Sequence, residues 1–554
     1  MVGNFKVFAA GTLIGALALG AAVCGVAMAD SGFIRVAEDR FTFETPTGDR
    51  FLPMGAYYLD ERHPEIDPLH WWGHFNEEHV EYDFAMAKWL GCNTLRLSFH
   101  FEVIDRNPEK PVVGSEEDFR KCSFLLDCAQ RNGLKLYIGP KIDGSSPQVT
   151  QDLYLWNTAV KNACSRYKNH PAVFCWEMDW ENITLVGYEG DREIWNNWVT
   201  EKYGSFDKAA RAWKVDASKE GWQDAVWTEM RNLLHHTGAY DEKRQLKPGL
   251  WYLDILNKTN DQKLYDWQLY RDHLYTWKIS QLLITAREAD PNHLICIDLI
   301  CWSFPLLRNN IQAGYGGPYG YAGVDVKAIS EHVDFFGIHT YPMYMPPFSQ
   351  QWYENLSRDK KTRQNQLRYI ATLCRYLREN TGKPIVHSET GWHGGEGDYY
   401  NNGEQDQLDW AEDVMQETKH CAVGWINWTL KDVPTHEKLT AFGGLVTKGI
   451  KTKADKDGIN PLSAYLYDGR LPKDEAYRPK LIGKSFKKLV EQMHADPNLR
   501  PVDGKKVVVS KRFAYTADLK SLDEVLVAFM GDEHYPCDIS LEDIPARKDP
   551  VVWK

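Results

Sequence analysis

The sequence carries no surplus of basic residues: 65 Lys and Arg stand against 77 Asp and Glu, and neither sign gathers into long runs. The electrostatic footprint of a nucleic-acid binder is therefore missing, and that class is set aside. Cysteine is sparse, at 11 of 554 residues, and no pair has the C-x-x-C spacing of a zinc site. Cys175, Cys296 and Cys421 lie in or beside apolar runs and read as buried thiols, while Cys122 and Cys128 sit six apart on one predicted helix and do not face each other. Disulfides among the ten cysteines beyond Cys24 are allowed, but no framework is demanded. No Gly-rich phosphate loop follows the first apolar run, which argues against an open dinucleotide-binding sheet. No constellation suits a Ser or Cys nucleophile, and the scattered His residues have no metal spacing, so neither metal nor organic cofactor is expected. Beyond residue 29 no apolar stretch is long enough to span a membrane, so the body of the chain is read as soluble, without membrane insertion.

Residues 1–29 do hold such a stretch, "VFAAGTLIGALALGAAVCGVAM", preceded by Lys6 and followed by an A-x-A site at Ala27-Met28-Ala29. This pattern predicts a signal peptide and a secreted, periplasmic or cell-surface protein beginning at Asp30. Retention as a membrane anchor and lipidation at Cys24 stay open.

Aromatic residues are abundant, with 21 Trp and 28 Tyr, a composition that suits either a sugar-binding cleft or a large barrel core. Short apolar runs recur at 51–58, 93–99, 134–140, 172–180, 293–300, 333–341, 383–390 and 422–430, with amphipathic helical stretches between them. One of these, "SEEDFRKCSFLLDCAQRNG", opens on Ser115 as a cap and closes on Gly133. Eight nearly continuous apolar strands alternating with helices predict an α/β fold, a (β/α)8 barrel of the TIM type. A large insertion is expected after the fourth strand, and two strands beyond Pro497 are expected to form a small C-terminal β appendage. The expected divisions are thus 1–29, 30–495 and 496–554.

In a parallel barrel the active face lies where the strands end, so the polar residues at those ends are the informative ones. The second strand offers Arg96, the fourth Glu181, the sixth His339 and Tyr341, the seventh Glu389, and the eighth Trp425 and Trp428. Two carboxylates therefore face one mouth from strands four and seven. The stretch "VFCWEMDWEN" fits W-E-x-x-N-E through Trp176, Glu177 and Glu181, and "PIVHSETG" fits P-x-x-x-x-E-x-G through Glu389. On these motifs the chain resembles the clan A glycoside hydrolases, including family 5 cellulases and mannanases. The segment "WVTEKYGSFDKAARAW" is similar to the one that follows the acid/base in family 42 β-galactosidases. The resemblance spans most of residues 50–490. It implies Glu181 as acid/base and Glu389 as nucleophile, with Arg96, His339, Tyr341 and Trp428 supporting or binding substrate; Trp180, which departs from the family pattern, either stacks on sugar or weakens catalysis.

The resemblance also implies a retaining β-glycoside hydrolase acting on mannan, glucan or a galactoside through two carboxylates. Arg96 and the Tyr341 hydroxyl are expected to keep Glu389 ionised, and an aromatic wall of Trp176 and Trp180 to favour the neutral acid at Glu181. Two departures stand out: Trp180 replaces the Asn that holds the sugar 2-hydroxyl in the family, and the third strand ends in "GPKIDG" without the family 5 His. The alternative is a carbohydrate-binding protein on a degenerate barrel. Glu177 and Asp179 are expected to orient the site rather than react. Trp71, Trp72 and His74 read equally as a subsite or as loop packing. Oligomeric state has no signature in the sequence.

Overall fold

The computed structural model describes residues 32–62, 68–143, 150–181, 190–235, 262–300, 324–341, 360–392, 394–395, 403–433, 443–448 and 477–501. The expected signal segment and the β appendage beyond residue 501 lie outside these, as does most of the loop following the eighth strand.

Eight strands form a closed barrel: β1 (Met54–Tyr57), β2 (Thr94–Phe101), β3 (Lys135–Ile142), β4 (Val173–Glu177), β5 (Leu294–Ile300), β6 (Phe335–Thr340), β7 (Ile385–Thr390) and β8 (Val423–Asn427). Neighbours pair in parallel all the way round, and β8 closes on β1 through Trp425–Met54 and Asn427–Ala56. All eight strands fall within the apolar runs that predicted them, apart from the last one or two residues of β2 and β3. The burial of both faces explains why those runs lack polar alternation. The expected barrel is the observed fold.

Helices α1 (Glu77–Leu90), α2 (Glu116–Asn132) and α3 (Leu153–Tyr167) follow the first three strands. Ser115 caps α2 by accepting from the Asp118 amide, Asp118 returns the bond, and Gly133 ends the helix at φ 64°. Both ends were legible from single residues because each satisfies backbone groups that the helix leaves open. At the floor of the barrel, Phe43 and Phe51 from an N-terminal ribbon pack against Phe174 near the start of β4, and Phe43 also packs against Phe335 at the start of β6.

Between β4 and β5 come α4 (Asp191–Tyr203), α5 (Phe206–Trp213), α6 (Trp222–His235) and α7 (Gln262–Ala289). Much of the aromatic surplus is spent here. Trp195 stacks on Trp198 and on Trp213 with centroids 5.7 Å away in both cases, and its edge contacts reach Trp267 and Tyr270. The composition therefore reflects a tryptophan-rich helical core as much as a cleft. The remaining helices are α8 (Val326–Ile329), α9 (Lys360–Thr381), α10 (Glu404–Thr418) and α11 (Leu481–Ala495). Among the described residues no helix is long and apolar enough to cross a membrane.

Gly337 in β6 leaves room for the buried Asp298 of β5: a Cβ at this position would sit 1.9 Å from Asp298 Oδ1 and 2.4 Å from Ser388 Oγ. Gly337→Ala is expected to displace Asp298 and to lower unfolding free energy by roughly 1–3 kcal/mol, the usual cost of overpacking. Urea unfolding followed by tryptophan fluorescence measures this, and an unchanged midpoint would contradict it.

Candidate active site

The sequence places three acids on and beyond β4, and each does something different. Glu177, the last residue of β4, points inward and accepts two hydrogen bonds from Arg96, from Nε at 3.0 Å and from Nη2 at 2.6 Å. Asp179 accepts a hydrogen bond from Tyr275 of α7 at 2.5 Å, and its backbone carbonyl accepts from the Asp298 amide. Glu181 reaches the mouth, with its side chain 34% exposed against 5% for Glu389. Glu177 and Asp179 are thus each bonded to a neighbouring element, β2 and α7.

Arg96, fully buried on β2, is the hub. Besides Glu177 it donates to Glu389 Oε2 at 2.5 Å and lies 3.0 Å from Asp298 Oδ2. An arginine serves here because its planar fork addresses several carboxylates at once. Tyr341 completes the setting of Glu389 by donating to Oε1 at 2.6 Å. The expected supports of Glu389, Arg96 and Tyr341, are therefore both in hydrogen-bond contact with it.

His339 sits beside Glu389 in register across β6 and β7. Its Nε2 meets Asp298 at 3.3 Å, while its Nδ1 lies 3.6 Å from Glu181 and 3.7 Å from Glu389. That Nδ1 is buried with no hydrogen-bond partner among the described residues. Burial alone would depress this imidazole, but Glu389, Asp298 and Glu181 outweigh burial and Arg96 and raise its pKa to about 9. Burial likewise pushes Glu177 up to about 7 despite its bonds to Arg96. At Asp298 burial is overcome by Arg96 and His339, which hold the carboxyl below its ordinary range.

One oxygen of Glu181, one of Glu389 and a ring nitrogen of His339 all lie within 4.8 Å of one another. Such a trio has the donor types of a metal site, although Glu389 is already engaged by Arg96 and Tyr341.

Aromatic rings close one side. Tyr57 of β1 lies with its centroid 5.2 Å from that of Trp180 and 4.9 Å from that of Trp428. Strand β8 ends at Asn427, so Trp428 escapes the alternation and joins the mouth, while Trp425 packs against His387 on the far side of the sheet. Trp428 precedes a cis peptide bond to Thr429.

Trp176 corrects the expected aromatic wall. It points away from the barrel interior, donates to Asp290 at 2.7 Å and meets Phe99 edge-on, because strand alternation sends it opposite to Glu177. It does not adjoin Glu181. The loop pair is settled as packing: Trp71 meets Tyr58 edge-on, and Trp72 donates to Asp118 at 3.1 Å. Four contributors escaped the strand-end reading: Tyr57, Tyr137, Lys141 and Asp298. Tyr137 donates to Asp298, and a lone acid inside the apolar run "LICIDLI" was the available signal. All the described cysteines are buried.

No protein-family model matches the chain, and no curated protein matches it. Solved structures do. A β-galactosidase from Bacillus circulans sp. alkalophilus aligns with TM-score 0.53 and 13% identity over 88% of this chain and 65% of its own. One from the Antarctic haloarchaeon Halorubrum lacusprofundi aligns with TM-score 0.51 and 15% identity, over 86% of this chain and 64% of its own. A GH5_18 protein from Streptomyces cattleya, solved with Manβ1-4GlcNAc, gives 0.47 and 11% over 86% of this chain and 90% of its own. The likeness to the two β-galactosidases is one of fold: the chain shares with these glycoside hydrolases the (β/α)8 barrel. It spans less than two thirds of their length.

Proposed function

We propose that this protein is a retaining β-glycoside hydrolase in which Glu389 is the nucleophile and Glu181 the acid/base. The observation that carries this reading is the pairing of two unlike carboxylates across one mouth. Glu389 is buried and held by Arg96 and Tyr341, Glu181 is partly open, and their nearest oxygens fall within 4.8 Å. Double displacement requires carboxyl groups about 5–5.5 Å apart, close enough for direct attack and too close for an intervening water.

In the first step a Glu389 oxygen bonds to the anomeric carbon while the glycosidic C–O bond breaks and Glu181 gives its proton to the departing oxygen. In the second, Glu181 takes a proton from water, whose oxygen displaces Glu389 and leaves the product with the starting configuration. The protonated His339 adds positive charge beside both carboxylates, and its open Nδ1–H is free to donate to a substrate oxygen. Trp180 and Trp428, with Tyr57, supply the flat faces on which a pyranose ring stacks.

The substrate is a β-linked polysaccharide or oligosaccharide of the mannan, glucan or galactoside type, met outside the cell after export through residues 1–29. Purified residues 30–554 are expected to release reducing sugar from one member of a panel of mannans, glucans, galactans and aryl β-glycosides. Proton NMR of the first product is expected to show the β-anomer; the α-anomer would contradict double displacement. The second reading, a carbohydrate-binding protein, is favoured by one feature, Trp180 in place of an amide. Oligosaccharide binding without turnover across the panel would establish it.

A further inference from the structure

A retaining site gains several kcal/mol from a hydrogen bond to the hydroxyl next to the anomeric carbon, one that strengthens in the transition state. Trp180 directly precedes Glu181, and its indole N–H and ring faces cannot reproduce an amide at that position. The need is therefore open, and a donor lies against the Trp180 ring itself.

Lys141, next to last in β3, carries its Nζ 3.0 Å from the centroid of the Trp180 ring. The residue is half-buried. Its surroundings are those of the reacting centre. Burial draws its pKa down to about 7, against the fields of Glu177, Glu389 and Glu181, and Arg96 adds to the depression. The same ring also lies under the Arg96 guanidinium, at 5.3 Å, and beside Tyr57.

Resting on the glycosidase reading above, we propose that Lys141, seated on Trp180, is the donor to the 2-hydroxyl of the sugar whose anomeric carbon Glu389 attacks. The indole holds the ammonium by its π face, and the two residues jointly replace one amide. Trp180 is then a platform for the lysine as well as for the sugar.

The test compares 4-nitrophenyl β-glucoside, galactoside and mannoside with their 2-deoxy counterparts, using the whole mature protein, Lys141→Met and Lys141→Arg. Losing a charged hydrogen bond costs roughly 10- to 100-fold, so Lys141→Met is expected to lose that much kcat/KM on the 2-hydroxylated substrate. On the 2-deoxy substrate its loss is expected to be at least about fivefold smaller. Lys141→Arg is expected to recover part of the loss. An equal loss on both substrates, or none on either, would overturn the assignment.

If the parent protein hydrolyses none of the glycosides, the glycosidase reading fails separately. The contact is then read by NMR titration of the methyl β-glycosides and their 2-deoxy forms. A preference for the hydroxylated form that Lys141→Met abolishes supports the contact. A preference that survives the substitution, or no binding at all, rejects it.

Discussion

Glu389→Ala is expected to reduce hydrolysis of the active aryl β-glycoside by on the order of 10⁴-fold or more, with the fold intact. The size follows from its position: Glu389 is gripped by both Arg96 and Tyr341, leaving a carboxylate fixed in orientation with its charge balanced. Water has no equivalent grip in the alanine variant. Stability should survive because Arg96 keeps Glu177 and Asp298 as partners. Added azide fits the vacated space and is expected to restore turnover, giving the glycosyl azide of inverted configuration. Circular dichroism verifies the fold in the same samples. Hydrolysis within tenfold of the parent protein would remove Glu389 from the mechanism.

The second large effect belongs to Arg96→Met. Arg96 is fully buried and answers three carboxylates, of Glu177, Asp298 and Glu389. Removing it leaves those buried acids without their shared cation. Breaking a buried ion pair on one side costs about 3–5 kcal/mol, and here the loss falls on three partners. Some of it is relieved because the acids take up protons, which ties the damage to pH: Arg96→Met is expected to be closest to the parent protein at acid pH, where the carboxylates are neutral. Denaturant unfolding at several pH values measures the difference, and a loss below about 1 kcal/mol at neutral pH would refute the hub role. Arg96→Lys should recover little, since a single ammonium cannot address three carboxylates in one plane. Activity is expected to vanish in both variants, because Glu389 loses its orientation along with its counter-ion.

These two residues were legible before any coordinates. A buried parallel strand is apolar throughout, so polar residues near the end of a run mark the mouth of the barrel, as for His339, Tyr341 and Glu389, while Arg96 shows as a lone charge inside the run 93–99. The same rule failed for Trp176, one residue from the inward Glu177, because the sequence names the strand but leaves its facing to the register. It failed again for Asp298, which lies inside a run rather than at its end. An acid there is tolerated only because Arg96, Tyr137 and His339 converge on it from β2, β3 and β6, and such convergence has no signature in any one segment.

Local chemistry determined the rest of what the sequence announced: eight apolar runs of strand length, a helix bounded by Ser115 and Gly133, and two carboxylates, one just beyond strand four and one near the end of strand seven. These follow from period, caps and alternation, which act over a few residues. Only the tertiary structure decided that the tryptophans divide between the helical insertion and the mouth. It also set Lys141 against Trp180, 39 positions away, and gave the three acids of "WEMDWE" three different partners. Closing the barrel brings β3 beside β4 and lets Arg96 of β2 reach Glu389 of β7 across the interior, and the fields and hydrogen bonds that give these groups their roles exist only at that closure.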